Sequence, residues 1–166
     1  MKVKTICVLI VILTIISSCG IYSFTNGALP SHLKTVDIPL FQNSSLEPNI
    51  ADEITIELNN QITSKGQLKI ANGRGDATLS GKITFYENRA YTYGATGTRE
   101  VDIDQYIVKI TADVLFFDNV KNTEIYKGTV TGEGIYSFKT ENVKTGKEKA
   151  TKDIVARILE NLLQGW

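Results

Sequence analysis

The chain has 166 residues with 18 basic and 18 acidic side chains, one histidine and two cysteines, so its length allows one ordinary domain and a small appendage. The balanced charge argues against a nucleic-acid binder, and two cysteines cannot supply a Cys-based zinc site. A hydrophobic content of 42% with three prolines points to a folded core rather than a disordered chain.

Lys2 and Lys4 precede an apolar run from Ile6 to Ile16, broken only by Thr14, which ends at Ile16-Ser17-Ser18-Cys19. The run is well short of the ~20 apolar residues that span a bilayer. It reads as a signal peptide, residues 1–18, and the ending resembles the lipobox of bacterial lipoproteins. A thiolate can take up a diacylglyceryl group as a stable thioether, which makes Cys19 the lipidation site, with palmitate-type acyl chains on it. Several chains are needed because one anchors only marginally, at about 0.8 kcal/mol per buried methylene. Removing the leader also removes Cys7, so no intramolecular disulfide forms, and the loss of Lys2 and Lys4 leaves the chain slightly acidic. Gly20, not Asp, follows Cys19; similarity to lipoprotein sorting in Gram-negative bacteria then implies the outer membrane.

Residues 19–31 read as a lipidated tether, with Asn26-Gly27 and Pro30, and residues 32–166 as a single domain. A first strand runs from Lys34 to Phe41 with Val36, Ile38 and Leu40 on one side, and Pro39 confines it to a sheet edge. Glu47-Pro48 opens a helix whose Ile50, Ile54, Leu58 and Ile62 form a stripe ending by Gly66. After a short segment, Leu68 to Ala71, and the turn Asn72-Gly73-Arg74-Gly75, a strand alternates Ala77, Leu79, Gly81, Ile83 and Phe85 against Thr78, Ser80, Lys82, Thr84 and Tyr86. Residues from Asn88 to Asp104 read as a long hairpin connection or frayed strand ends.

The clearest strand is Tyr106 to Phe117, with Tyr106, Val108, Ile110, Ala112, Val114 and Phe116 inward. Its partner runs from Glu124 to Phe138, where Gly132 and Gly134 leave room for a bulge or a closely packed helix. A last helix, Lys147 to Leu163, presents Ala150, Ile154, Val155, Ile158, Leu159, Leu162 and Leu163 on a broad apolar face. The expected architecture is α+β: a two-layer sandwich with two helices on one face of a four-stranded mixed sheet.

Chemistry is sparse. His32 is the only histidine and reads as an exposed or packing imidazole, and no nucleophile-base pair, phosphate loop or metal set is visible, so an enzyme is not expected, nor a cofactor. Asp102 and Asp104 could share one side of a strand and bind a cation weakly, but two solvated acids is the simpler reading. The sheet face opposite the helices would carry Thr78, Ser80, Lys82, Thr84, Lys109, Thr111, Asp113, Lys127, Thr129, Thr131 and Glu133. That face suits either plain solvent or a polar-lined partner such as a barrel interior.

Cys19-Gly20, Leu29-Pro30, the run Lys34 to Asn43, Glu47-Pro48, the strand from Asp76 to Ile83 and the closing helix ending at Trp166 together resemble the LptE family of lipopolysaccharide-assembly lipoproteins. The resemblance implies a domain anchored at the inner leaflet of the outer membrane, facing the periplasm. There it would sit in the LptD β-barrel and help pass lipopolysaccharide to the surface without covalent chemistry. Arg74, Lys82, Arg89, Arg99, Lys109 and Lys127 are candidates, by charge alone, for meeting lipid A phosphates. The alternative is an unrelated envelope lipoprotein acting as a structural or binding module.

Overall fold

A computed structural model describes residues 29–91 and 105–164. The chain forms β1 (Thr35–Asp37), β2 (Gln42–Asn43), α1 (Ile50–Lys65), β3 (Lys69–Ala71), β4 (Ala77–Ala90), β5 (Gln105–Asp118), β6 (Thr123–Ser137) and α2 (Val143–Gln164). Two helices pack against a mixed sheet of six strands, not four. Pro39 accounts for part of the difference. It lacks an N–H for the ladder and splits the expected first strand, so Val36 and Ile38 are buried but Leu40 turns outward and Phe41 takes its place inside. The segment after α1 supplies the remaining strand, β3, paired parallel to β1.

The sheet order is β3-β1-β4-β5-β6, with β2 alongside β4. Strands β1 and β2 run parallel to β4, whereas β4, β5 and β6 form an antiparallel meander. Gly66 ends α1 in the left-handed conformation at φ 65°, its N–H donating to the Ile62 carbonyl. Ile54, Leu58 and Ile62 from α1 meet Ile154, Ile158 and Leu162 from α2, and the inward side chains of β4, β5 and β6 complete one core around fully buried Phe116.

Gly132 and Gly134 resolve in favour of a closely packed helix. A β-carbon on Gly132 would lie 2.5 Å from the Ile154 backbone nitrogen, and one on Gly134 2.5 Å from that of Ala150. These two positions let α2 lie directly on β6. At the N-terminal end of α2, Lys147 Nζ bonds Glu53 at 2.8 Å and Glu47 at 3.2 Å, which ties α2 to the start of α1. The two helices therefore run parallel, since their C-terminal residues also share a small apolar cavity with Leu29, Leu79 and Phe116.

Leu29, within the segment expected to be a tether, packs against this core, and Leu33 is buried. His32 is neither free nor mere filler. Its Nε2 donates to Asp118 Oδ2 at 2.6 Å, and Asp118, at the end of β5, is 1% exposed. Asp118 Oδ1 also accepts from the N–H groups of Val120 and Lys121, so one carboxylate holds both the β5–β6 turn and the chain entering β1.

Candidate functional site

The sheet face turned away from the helices is assembled by strand register. Lys82 stands opposite Asp113, which stands opposite Thr129, and the next row joins Ser80, Leu115 and Lys127. Farther along, Glu87, Lys109 and Glu133 form one row and Arg89, Ile107 and Ile135 another. Opposite charges alternate across these strands, an arrangement that lets many ionic groups share a surface without mutual repulsion.

Two irregularities decide which side chains reach this face. The register of β4 against β5 shifts between Ile83 and Phe85, so Thr84 is an extra residue and everything after it changes sides. Phe85, expected inside, is 45% exposed, while Tyr86, expected on the polar side, packs against the core. A second shift, between Phe116 and Phe117, leaves Ile125 as the extra residue in β6. The first shift thus brings Phe85 to the outer face, where Ile135 already stands by ordinary alternation among the threonines and charges.

Among the cationic candidates, Lys82 and Lys127 come together. They line one shallow groove of about 380 Å³ with Gln42, Ser80, Asp113 and Thr129. Thr129 Oγ1 donates to Asp113 Oδ1 at 2.7 Å, and Lys127 lies 4.0 Å from Glu124, so the groove sets two exposed ammonium groups beside one hydroxyl-bonded carboxylate. Lys109 and Arg89 belong to the other end of the face. Lys109 pairs with Glu133 at 3.6 Å and Arg89 with Glu87 at 3.2 Å. Arg74 is exposed in the β3–β4 turn, away from both groups, and Arg99, with Asp102 and Asp104, lies outside the described residues, as does Cys19. Sequence reasoning named Lys82 and Lys127 by charge but missed that Gln42, Asp113 and Thr129 complete their surroundings. Strand parity put Lys82, Asp113 and Thr129 on one face, but their pairing comes from register; nothing local carried Gln42, which arrives through the parallel contact of β2 with β4.

No cluster of three or more potential metal ligands occurs among the described residues. No helix among them is long and apolar enough to cross a membrane. The face offers charge, hydroxyls and scattered apolar side chains over an extended area.

The family model described as "LptE: Lipopolysaccharide-assembly" matches residues 33–164, most of the chain. The chain belongs to the LptE family. No curated protein matches it in sequence. Among solved structures, the chain is similar to protein XCC0632 from Xanthomonas campestris, with TM-score 0.55 and 10% identity over 83% of this chain and 91% of that one. The hypothetical protein CT253 from Chlamydia trachomatis aligns with TM-score 0.53 and 12% identity, covering 78% and 98% of the two chains. Uncharacterized lipoprotein B from Nitrosomonas europaea gives 0.52 and 17%, covering 83% and 86%. At these identities the likeness establishes a shared fold. The match to the LptE family spans β1 through α2, so it takes in every element that builds the outer sheet face.

Proposed function

We propose that this LptE-family chain is an outer-membrane lipoprotein that lodges in an LptD-type β-barrel and assists lipopolysaccharide assembly, with Cys19 as its acylated anchor and the domain facing the periplasm. Family membership over residues 33–164 carries the reading and displaces that of an unrelated envelope lipoprotein. Support comes from the outer face, whose cross-strand charge rows, threonines and isolated apolar side chains suit the polar wall of a water-filled barrel. The domain contributes shape and polar complementarity, and no covalent chemistry is needed. Lys82 and Lys127, which line one groove, are the cations we expect to meet an anionic headgroup together.

Mild detergent extraction of the lipidated protein should recover a large β-barrel with it. Cys19→Ala should abolish palmitate incorporation and release the protein from the membrane fraction. Recovery of the native lipoprotein without any barrel, with normal surface delivery of lipopolysaccharide after its depletion, rules the assembly role out.

The paired lysines give a sharper expectation. K82Q/K127Q should leave the melting temperature nearly unchanged, since both side chains are exposed, no like charges are brought opposite Asp113 or Glu124, and surface substitutions shift stability within about 0.5 kcal/mol. It should nevertheless weaken retention on immobilised lipopolysaccharide about tenfold or more, as expected when two charge-assisted contacts of ~1 kcal/mol each are removed. Equal retention of the wild-type and doubly substituted proteins excludes this groove as the anionic subsite.

A further inference from the structure

The chain leading back to Cys19 leaves the domain at one end. Leu29 packs on the core and lines a small apolar cavity with Leu68, Leu159 and Leu162, where the C-terminal ends of both helices meet. Nine residues, 20–28, lie between Leu29 and Cys19, a link that reaches about 35 Å at most when fully extended. His32 then fastens the entering chain to Asp118. An acyl anchor at Cys19 therefore holds the domain by this end.

Four lysines surround the exit. The Lys34 carbonyl accepts from the Lys69 N–H at 2.9 Å, which sets Lys34 beside the start of β3. Lys65 is the last residue of α1 and lines the same cavity as Leu29. Lys121, in the β5–β6 turn, donates its N–H to Asp118, the carboxylate that also holds His32. All four are exposed, and none forms an ion pair with a described residue. The carboxylates nearest them are engaged. Asp118 is buried with three donors, Asp76 accepts from the N–H groups of Lys34 and Thr35, and Glu124 lies 4.0 Å from Lys127. Val120, next to Lys121, is 60% exposed and puts an apolar side chain at the tip of the turn.

We propose that this end docks on the anionic phospholipid surface of the leaflet that carries the anchor, its four ammonium groups against headgroup phosphates and Val120 at the interface. The proposal rests on the acylation of Cys19. Ammonium groups on flexible stems suit a plane of phosphates, which offers many equivalent partners and demands no fixed geometry. The short link keeps the lysines at high effective concentration near that plane. Each lysine close to an anionic surface then favours contact about fivefold, so four together turn loose tethering into one orientation, with β4, β5 and β6 leading away from the membrane. Lys82 and Lys127 take no part, so the docking is separate from the groove on the outer sheet face.

The test uses the full acylated lipoprotein in phosphatidylcholine vesicles with or without phosphatidylglycerol, and no barrel protein. With Cys7 cut away and Cys19 acylated, Val120→Cys supplies a single thiol for a nitroxide. Phe138→Cys supplies one beyond the far end of β6, roughly 45 Å away. Flotation with phosphatidylcholine vesicles reports the anchor, and relaxation of the nitroxide by a nickel-chelating headgroup lipid reports the docking. The label at position 120 should be relaxed strongly only when phosphatidylglycerol is present, and the label at position 138 in neither membrane. K34Q/K65Q/K69Q/K121Q should float like the wild type and melt at nearly the same temperature, yet lower the ratio of docked to undocked protein about tenfold or more. K34R/K65R/K69R/K121R should keep the wild-type ratio. A protein that floats while its position-120 label ignores phosphatidylglycerol, or a glutamine variant that docks as the wild type does, overturns the docking alone. Relaxation with vesicles carrying lipopolysaccharide but not with phosphatidylglycerol overturns phospholipid as the partner. A protein that floats with neither vesicle overturns the docking together with the anchor.

Discussion

Replacing Gly134 with valine should destabilise the domain by at least ~3 kcal/mol and lower its melting temperature by about 10 °C or more. The cause is contact between two backbones. A β-carbon at Gly134 would overlap the Gly146 carbonyl oxygen and crowd the Ala150 nitrogen, and neither atom can swing away as a side chain does. Relief requires lifting the N-terminal half of α2 off β6, which exposes Ala150 and Tyr136 from the core and disturbs the Lys147 pairs to α1. Gly128→Ala is the matching control on the same strand. A β-carbon there meets chiefly the Tyr126 hydroxyl, the far end of a side chain, at 2.7 Å, and the expected cost is below about 1 kcal/mol. Urea unfolding of both variants separates the two sites. Similar costs would mean that α2 does not rest on this strand as described.

Gly132 and Gly134 also show what the amino-acid order makes legible. A strand pattern with two missing side chains one step apart on the same face leaves a physical gap, and a helix of matching apolar width at the end of the chain is available to fill it. The same logic located both helices and the three long strands, because each carries a period repeated over many residues. It failed where one residue outweighs a period. At Pro39, a single missing N–H divided a strand. At Thr84, one extra residue exchanged the two faces of β4, carrying Phe85 out and Tyr86 in. Alternation cannot reveal a bulge from within one strand, since the bulge is a property of the pairing with β5.

The candidate site was legible to the same depth. Lys82, Lys109 and Lys127 occupy outward positions of regular strands, and their charges were evident; which of them meet depends on inter-strand register. Register brings Lys82 and Lys127 to one groove and gives Lys109 to Glu133. His32 was the clearest miss. Its partner, Asp118, lies 86 positions away, so no local signal connected them.

Converting Asp118 to alanine should lower the melting temperature at neutral pH more than Asp118→Asn does, and the wild-type and asparagine curves should converge in acid. Burial by itself pushes this carboxyl upward, but the N–H of Lys121, the His32 ring and the N–H of Val120 together outweigh it and hold the group below the usual carboxylate value of 3.8. Asp76 is likewise lowered, chiefly by the backbone N–H of Lys34 with help from Thr35, and Glu141 is lowered by Lys149 and the Ser137 N–H. The sign follows from proton counting. Each group binds a proton more readily in the unfolded chain than in the folded one, so its stabilising contribution is complete above the unfolded value and disappears as pH falls through the lowered folded value. Wild-type stability should therefore decline as pH drops below about 4, where unfolded carboxylates begin to protonate. Asparagine keeps an acceptor for the turn but cannot carry charge, so it forfeits the Asp118 contribution at neutral pH and shows a shallower acid decline. Alanine also strands the His32 and turn N–H donors, a loss that acid does not erase. Parallel melting curves for wild type and Asp118→Asn between neutral pH and pH ~3 would mean that the carboxylate's charge adds nothing to the junction.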